Sequence, residues 1–353
     1  GAGDAFPAAE CQFQAASRSA RLGAHQQALV HLEHARDLLH QAADGPEVRA
    51  LVERVAQFMA VQSLFPRGFR PSEAGAGEGA DPAGASSQFQ TLLAGLMHQL
   101  AEGSWAELKD RAETLLDVAR ADDDRDEIRT ARHLLGFCAN YAGDIPLAEA
   151  HFANVLPEGV DEAPPALVQL YNGPPLAVEQ AYRALLALRR GRTSEAEALE
   201  AQARALARRY GAPNLMAYVL TLSAGFHRYA GQPALVLARA REVAVLSREE
   251  GLRATRVSAM GYREWAKAAL GRRCGLDRME AVARNEGGLT GGFSLAAFLA
   301  PAYGHCGRRQ EQIALIRELL AGGEAMALPA LYYAELYTLL GEALLATGEA
   351  AEG

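Results

Sequence analysis

The sequence is poor in lysine and in aromatic residues. Only Lys109 and Lys267 are lysines among 353 residues, so arginine carries almost all the positive charge. Aromatic residues make up 7% of the chain, and its apolar half is dominated by alanine and leucine. Runs of β-branched residues are nearly absent, which argues against a β-rich core. The abundance of Ala, Leu, Arg and Glu is typical of helices and predicts an all-α protein.

The chain also lacks a surplus of positive charge. Its formal net charge is −8 and its pI is about 5.7. Proteins that bind nucleic acids usually carry a basic excess, so we expect no nucleic-acid partner. We see neither an apolar run long enough to span a bilayer nor a signal peptide, so we expect no membrane partner and a cytoplasmic location. The chain begins at Gly1 rather than methionine, and we expect it to be an excised or processed piece.

The four cysteines lie far apart in the sequence. Since there is no CxxC pair, the spacing predicts neither a zinc site nor a disulfide framework. The simplest interpretation is free, buried thiols in a reducing cytoplasm. We therefore expect no metal and no cofactor. The cysteines are Cys11, Cys138, Cys274 and Cys306.

What the sequence does contain is a regular series of glycines between helical segments. Each glycine follows about fifteen helical residues and precedes another helical run, where a left-handed residue ends one helix. Most intervals are roughly 40 residues, which is typical of repeat proteins, and the first interval is about twice as long. The series is Gly23, Gly103, Gly143, Gly191, Gly231, Gly271, Gly307 and Gly348.

The segment LLGFCANYAGDIPLAEAHFANVL is the clearest copy of this repeat. It has a small residue, Gly136, inside the first helix, and Gly143-Asp144 at the turn. Apolar residues then recur at spacings of four and three on one face of the second helix. Small residues let two helices approach closely, and a large one fills the gap beside them. The apolar residues are Ala148, Phe152 and Val155.

This arrangement resembles the tetratricopeptide repeat (TPR) consensus, in which an LG pair, a G-D/N turn, an alanine and an aromatic residue follow in order. One departure is Ala139, where the consensus prefers tyrosine. The resemblance implies a right-handed superhelical solenoid of about eight helix-turn-helix repeats. We expect one domain over residues 1–353, with an irregular loop at 66–87 and an irregular connector at 157–175. The last copy, at 336–353, stops where its second helix should begin, so we expect the natural chain to continue or that end to be covered.

Several connectors make the resemblance more specific, because they are similar to segments of one group of TPR proteins. GFRPSE at 68–73 is similar to a GYxxPE connector, and YNGPP at 171–175 is similar to a YGxDP connector. Residues 298–320 and 330–345 also resemble C-terminal segments of the same group, the TPR regions that follow NTPase modules in bacterial regulators. That group includes MalT-like transcription activators and ATPase-linked class III adenylate cyclases. The resemblance implies the regulatory arm of a bacterial signalling protein, with an NTPase or cyclase module among its partners.

Residues capable of catalysis are scattered. Cys138, Asp144 and His151 lie in one repeat, but the repeat explains them as a buried thiol, a helix cap and a polar helix face. His305-Cys306 lies at a helix C-terminus, where the helix dipole favours histidine. A catalytic nucleophile needs a base and an orienting group within reach. The sequence therefore predicts that the chain is not an enzyme.

In such a solenoid the first helices of the repeats line a concave groove, which is the usual partner-binding surface. Arginine and aromatic residues are enriched in binding hot spots. Ordinary packing between repeats explains the aromatic residues equally well. The groove candidates are Arg21, His133, Phe137, Asn140, Tyr141, Arg189, Arg228, Tyr229 and Trp265.

The leading functional hypothesis is a protein- or peptide-binding scaffold, which predicts a continuous exposed groove. The alternative is a small-molecule sensor, which predicts an enclosed pocket with a few convergent polar groups. A carboxylate clamp of the chaperone-binding TPR type needs lysines in adjacent repeats, and the scarcity of lysine argues against it.

Overall fold

The computed structural model describes residues 2–21, 25–43, 45–67, 88–102, 105–155, 163–171, 173–285, 289–290, 293–321 and 329–349. These residues are helical almost throughout, which confirms the predicted all-α class. Among these helices, none combines the length and the apolar character that crossing a membrane requires.

Most consecutive helices are separated by only a few residues in the sequence. They are α1 (Ala2–Arg21), α2 (His25–Leu39), α3 (Pro46–Arg67), α4 (Gln88–Glu102), α5 (Trp105–Ala121), α6 (Arg125–Tyr141), α7 (Ile145–Phe152), α8 (Pro165–Tyr171), α9 (Leu176–Arg189), α10 (Thr193–Tyr210), α11 (Pro213–Tyr229), α12 (Pro233–Glu249), α13 (Arg253–Ala269), α14 (Leu276–Asn285), α15 (Leu295–His305), α16 (Arg309–Ala321) and α17 (Tyr333–Thr347). Two short strands, β1 (Leu289–Thr290) and β2 (Phe293–Ser294), pair antiparallel before α15, and Ala330–Tyr332 forms a 3-10 turn before α17.

The two predicted irregular segments have different outcomes. The loop expected at 66–87 lies outside the described residues except for its first two positions, which belong to α3. The connector expected at 157–175 contains a helix, α8, so the prediction of an irregular segment there is wrong in part. The reason is that Leu167 and Tyr171 are both buried, and one helical turn places them on the same side.

Left-handed glycines end the helices where the spacing predicts. Gly143 has φ +79°, its N–H donates to the carbonyl of Asn140, and the N–H of Asp144 donates to the carbonyl of Ala139. This pair of bonds satisfies carbonyls that the helix end leaves free. Gly23 and Gly103 lie outside the described residues. Positive φ is found at the other predicted glycines, which are Gly143, Gly191, Gly231, Gly271, Gly307 and Gly348.

The packing predicted for the clearest repeat is also confirmed. A Cβ atom on Gly136 would lie 3.0 Å from the ring of Phe152, so the absence of a side chain lets α6 and α7 approach. Ala148 and Phe152 are both buried. The carboxylate of Asp144 accepts the N–H of Leu147 at 3.0 Å and caps α7.

Helices that are next but one in the chain also pack against one another in part of the fold. α9, α11, α13, α15 and α17 form one such series, in which each member packs against the following one. Elements distant in sequence also meet, because α3 contacts α13 and the 3-10 turn contacts α6. One N-terminal helix and one C-terminal turn therefore each contact a helix that is far away in the sequence.

Candidate functional site

The C-terminal halves of α6, α9, α11 and α13 bring polar and aromatic side chains together. Arg189 donates through Nη1 to Oδ1 of Asn140 at 2.9 Å, and its guanidinium carbon lies 5.1 Å from the ring centroid of Tyr229. Arg228 lies 5.5 Å from the centroid of the same ring and 5.4 Å from that of Trp265. We call this set the arginine–aromatic row: Asn140, Arg189, Arg228, Tyr229 and Trp265.

Arg228 is the central cation of the row. Its side chain is only 5% exposed, and its guanidinium carbon also lies 4.6 Å from the ring centroid of Phe298 on α15. A cation–π contact contributes about 0.5–1 kcal/mol at an exposed site and about 2 kcal/mol when desolvated, so the three rings together stabilise the position of the guanidinium. The geometry follows from the direct packing of α9 on α11, of α11 on α13 and of α13 on α15.

Glu335 at the start of α17 provides the counter-charge. Its carboxylate accepts a hydrogen bond from Nη2 of Arg228, across 107 residues of sequence. Burial lowers the pKa of Arg228, but the charge of Glu335, its hydrogen bond and the nearby Tyr229 and Tyr262 together outweigh burial and raise the pKa above its ordinary value. The Nε atom of Arg228 is buried and has no hydrogen-bond partner among the described residues. A carboxylate can accept hydrogen bonds from Nε and an Nη atom of an arginine at the same time. Glu335 accepts only the hydrogen bond from Nη2.

Of three other predicted groove residues, His133 and Phe137 are buried and Tyr141 is half-buried. His133 is fully buried, with Nε2 2.6 Å from the hydroxyl of Tyr171 and Nδ1 3.5 Å from Oε1 of Glu179. Phe137 is buried against the ring of Tyr141. Burial raises the pKa of the half-buried Tyr141.

The candidate groove residues are therefore less exposed than the repeat pattern predicted. Asn140, Arg228 and Trp265 are buried as well, because neighbouring first helices pack on them. Tyr229 is 39% exposed and Arg189 is half-buried, so these two form the accessible edge of the row. Arg21 ends α1, and its side chain lies outside the described residues.

A cluster of three tyrosines also escaped sequence reasoning. The hydroxyls of Tyr182 on α9 and Tyr218 on α11 are 2.7 Å apart, and the ring of Tyr171 lies 5.5 Å from that of Tyr218. Burial raises the pKa of each of the three. The signal in the sequence was the separation of 36 residues between Tyr182 and Tyr218, which is close to one repeat.

The cysteines only partly fit their expected burial. Cys138 is buried, and burial raises its pKa to about 12, so it stays a neutral thiol. Cys11 and Cys306 are exposed and Cys274 is half-buried, so the interpretation of all four as buried thiols is wrong. Cys11 lies in the middle of α1, Cys274 lies in the connector after α13, and Cys306 directly follows α15. Among the residues that the structure describes, no three His, Cys, Asp or Glu side chains cluster as a metal site would require.

A buried carboxylate between α10 and α11 also escaped sequence reasoning. Glu200 accepts hydrogen bonds from Ser223 and from Nε of Arg204, and Nε2 of His227 lies 3.7 Å away. Burial raises the pKa of Glu200, but these hydrogen bonds outweigh it and lower the pKa. Ser223 donates to the carboxylate rather than to the histidine.

The cleft beside Glu200 leaves no room even for a water molecule and is lined mainly by apolar side chains, among them Phe226. Ligand pockets usually measure about 300–1,000 Å³, so this cleft is too small for a typical effector. No family model and no curated protein matches the chain. The contacts of the arginine–aromatic row are therefore the best basis for a functional conclusion.

Proposed function

We propose that the chain is a protein- or peptide-binding scaffold, built as a TPR-like superhelical solenoid and serving as the regulatory arm of a bacterial cytoplasmic signalling protein. The stacking of α9, α11, α13, α15 and α17 and the recurrent left-handed turn glycines support the solenoid. The negative net charge is consistent with a protein partner rather than a nucleic acid. An NTPase or cyclase module is the partner that the sequence resemblance suggests.

The observation that carries the proposal is the contact between Glu335 and Arg228. The arginine–aromatic row takes up a carboxylate from a helix 107 residues further along the chain. Glu335 is 29% exposed while Arg228 is 5% exposed, so the acidic side of the pair is the accessible one. A segment that presents a carboxylate beside apolar side chains suits the same row. Arginine and aromatic side chains are also the residue types most enriched in binding hot spots.

The alternative, a sensor of small molecules, has weaker support. The cleft beside Glu200 is too small, and its polar groups already bond to one another. Among the described residues, no further contact favours a small ligand over a peptide.

The test is a selection of displayed peptides against the full chain, followed by affinity measurements by fluorescence anisotropy. Tyr229→Ala and Arg189→Ala should each weaken binding of the selected peptides about 10-fold, the loss typical of a moderate hot spot. Leu235→Ala on α12 is the matched control, because Leu235 is 40% exposed and takes no part in the contacts that define the row. Its affinity should equal that of the wild type.

The ion pair between Arg228 and Glu335 allows a second, more specific test. Glu335→Gln removes the internal competitor and should tighten the binding of peptides that contain Asp or Glu. The same peptides with Asn or Gln should gain nothing from that change. If Tyr229→Ala and Arg189→Ala bind as well as Leu235→Ala, the row is not the binding site. If no peptide is selected, the scaffold function is contradicted.

A further inference from the structure

Two cysteines that are distant in sequence meet in the structure. The Sγ atoms of Cys274 and Cys306 are 3.1 Å apart although 32 residues separate them. This is closer than an ordinary non-bonded contact between sulfur atoms, and it exceeds the covalent S–S length by about 1 Å. Cys274 lies in the connector between α13 and α14, and Cys306 follows the last residue of α15. The contact therefore joins two neighbouring hairpins.

The backbone on both sides of the contact is held in place. Glu264 is 3% exposed, and its Oε2 accepts the N–H of Gly275 at 2.7 Å and a hydrogen bond from Nζ of Lys267 at 3.1 Å. On the other side, the N–H of Cys306 donates to the carbonyls of Ala302 and Tyr303 in the turn that ends α15. The two thiols are thus positioned by fixed segments, so their approach is a property of the fold.

The two thiols differ in accessibility. Cys306 is exposed, whereas Cys274 is half-buried. Burial raises the pKa of Cys274 to about 11, and the hydrogen bond with Cys306 adds to that rise. An incoming oxidant meets the exposed thiol first, because reactivity follows access and thiolate character. Cys306 is accordingly the attacking thiol and Cys274 the resolving thiol.

We propose that Cys274 and Cys306 are a redox modification site that forms a reversible disulfide by exchange with a low-molecular-weight disulfide. Cys306 loses its proton to solvent and attacks one sulfur of the small disulfide, whose other half leaves as a thiolate. Cys274 then loses its proton and attacks Sγ of Cys306, which releases the second thiolate. The two protein thiols are oxidised by two electrons, and the small disulfide is reduced to two thiols.

The first test uses the wild-type full chain and oxidised glutathione. After an acid quench and alkylation with N-ethylmaleimide, peptide mapping should recover Cys274 and Cys306 in one linked pair, and the intact mass should carry a loss of about 2 Da at this site. Excess dithiothreitol should restore both thiols. Cys11, which is exposed on α1, is the internal control and should carry glutathione instead. Recovery of Cys274 and Cys306 as separate free or glutathione-bearing residues, while Cys11 is modified, would overturn the proposal.

Two variants test the order of the steps. In Cys274→Ser the glutathione adduct on Cys306 should persist, because the resolving thiol is missing. In Cys306→Ser the remaining Cys274 should react at least about 10-fold more slowly than Cys306 does in Cys274→Ser, because it is half-buried. Circular dichroism verifies that both variants keep the helical fold. Equal reaction rates in the two variants would contradict the assigned roles.

Discussion

The same Leu-Gly pair occurs in α6 and in α17, but its surroundings differ. In α6, a Cβ atom on Gly136 would lie 3.0 Å from the Phe152 ring of α7. In α17, a Cβ atom on Gly341 would meet no heavy atom of the described residues within 4 Å. Tyr337 and Leu345 of α17 are 63% and 65% exposed. An identical local motif therefore constrains packing only where a second helix covers it.

Phe152→Ala should have the largest effect on this comparison. The ring is 2% exposed and stacks on Tyr182 with centroids 5.2 Å apart, so its removal leaves a cavity between α6, α7 and α9. We expect a loss of about 3–5 kcal/mol in the free energy of unfolding, measured by urea titration with circular dichroism. Tyr337→Ala is the matched control and should change it by less than about 0.5 kcal/mol. Equal losses in the two variants would mean that the Phe152 ring of α7 does not fill the space beside Gly136.

Gly136→Ala should come next. The added methyl group would press on Phe152, which cannot yield freely because Tyr182 and His133 hold it on other sides. We expect a net loss of about 1–2 kcal/mol, since overpacking outweighs the better helix propensity of alanine. Urea unfolding measures this as well. In a Phe152→Ala background the loss should disappear, and strict additivity would contradict the proposed clash.

Asp144→Ala should cost about 1 kcal/mol, because the N–H of Leu147 loses its acceptor at the start of α7. Asp144→Asn is the control, since an amide oxygen can still accept that hydrogen bond. Thermal unfolding distinguishes the two. A loss of the same size in both variants would show that charge, not capping, is responsible.

Gly341→Ala should have the smallest effect and the opposite sign. Its site is open, so alanine should stabilise α17 by up to about 1 kcal/mol through helix propensity alone. Thermal unfolding of Gly341→Ala beside Gly136→Ala compares the two Leu-Gly pairs directly. A destabilised Gly341→Ala would mean that something packs on this face of α17.

The features of the fold that could be predicted are those that depend on residues close together in the sequence. The turn glycines, the cap at Asp144 and the spacing from Ala148 to Phe152 depend on residues within about one helical turn or one hairpin. The short helix α8 was not predicted, because its two buried residues, Leu167 and Tyr171, carry too short a pattern.

The candidate site was less predictable. The sequence placed the right residue types on successive first helices, and Asn140, Arg189, Arg228, Tyr229 and Trp265 do meet. It did not indicate that most of them are buried, since burial depends on how closely neighbouring hairpins stack.

The sequence by itself determined the helical class, the turns and the small-to-large packing inside one hairpin, because these depend on backbone conformation and on neighbours a few residues away. Only the tertiary structure decided that Glu335 reaches Arg228 and that Cys274 meets Cys306. Those contacts join residues 107 and 32 positions apart, and no local preference specifies them. They follow from how successive hairpins stack, because each packing angle changes the position of every hairpin that comes later in the chain.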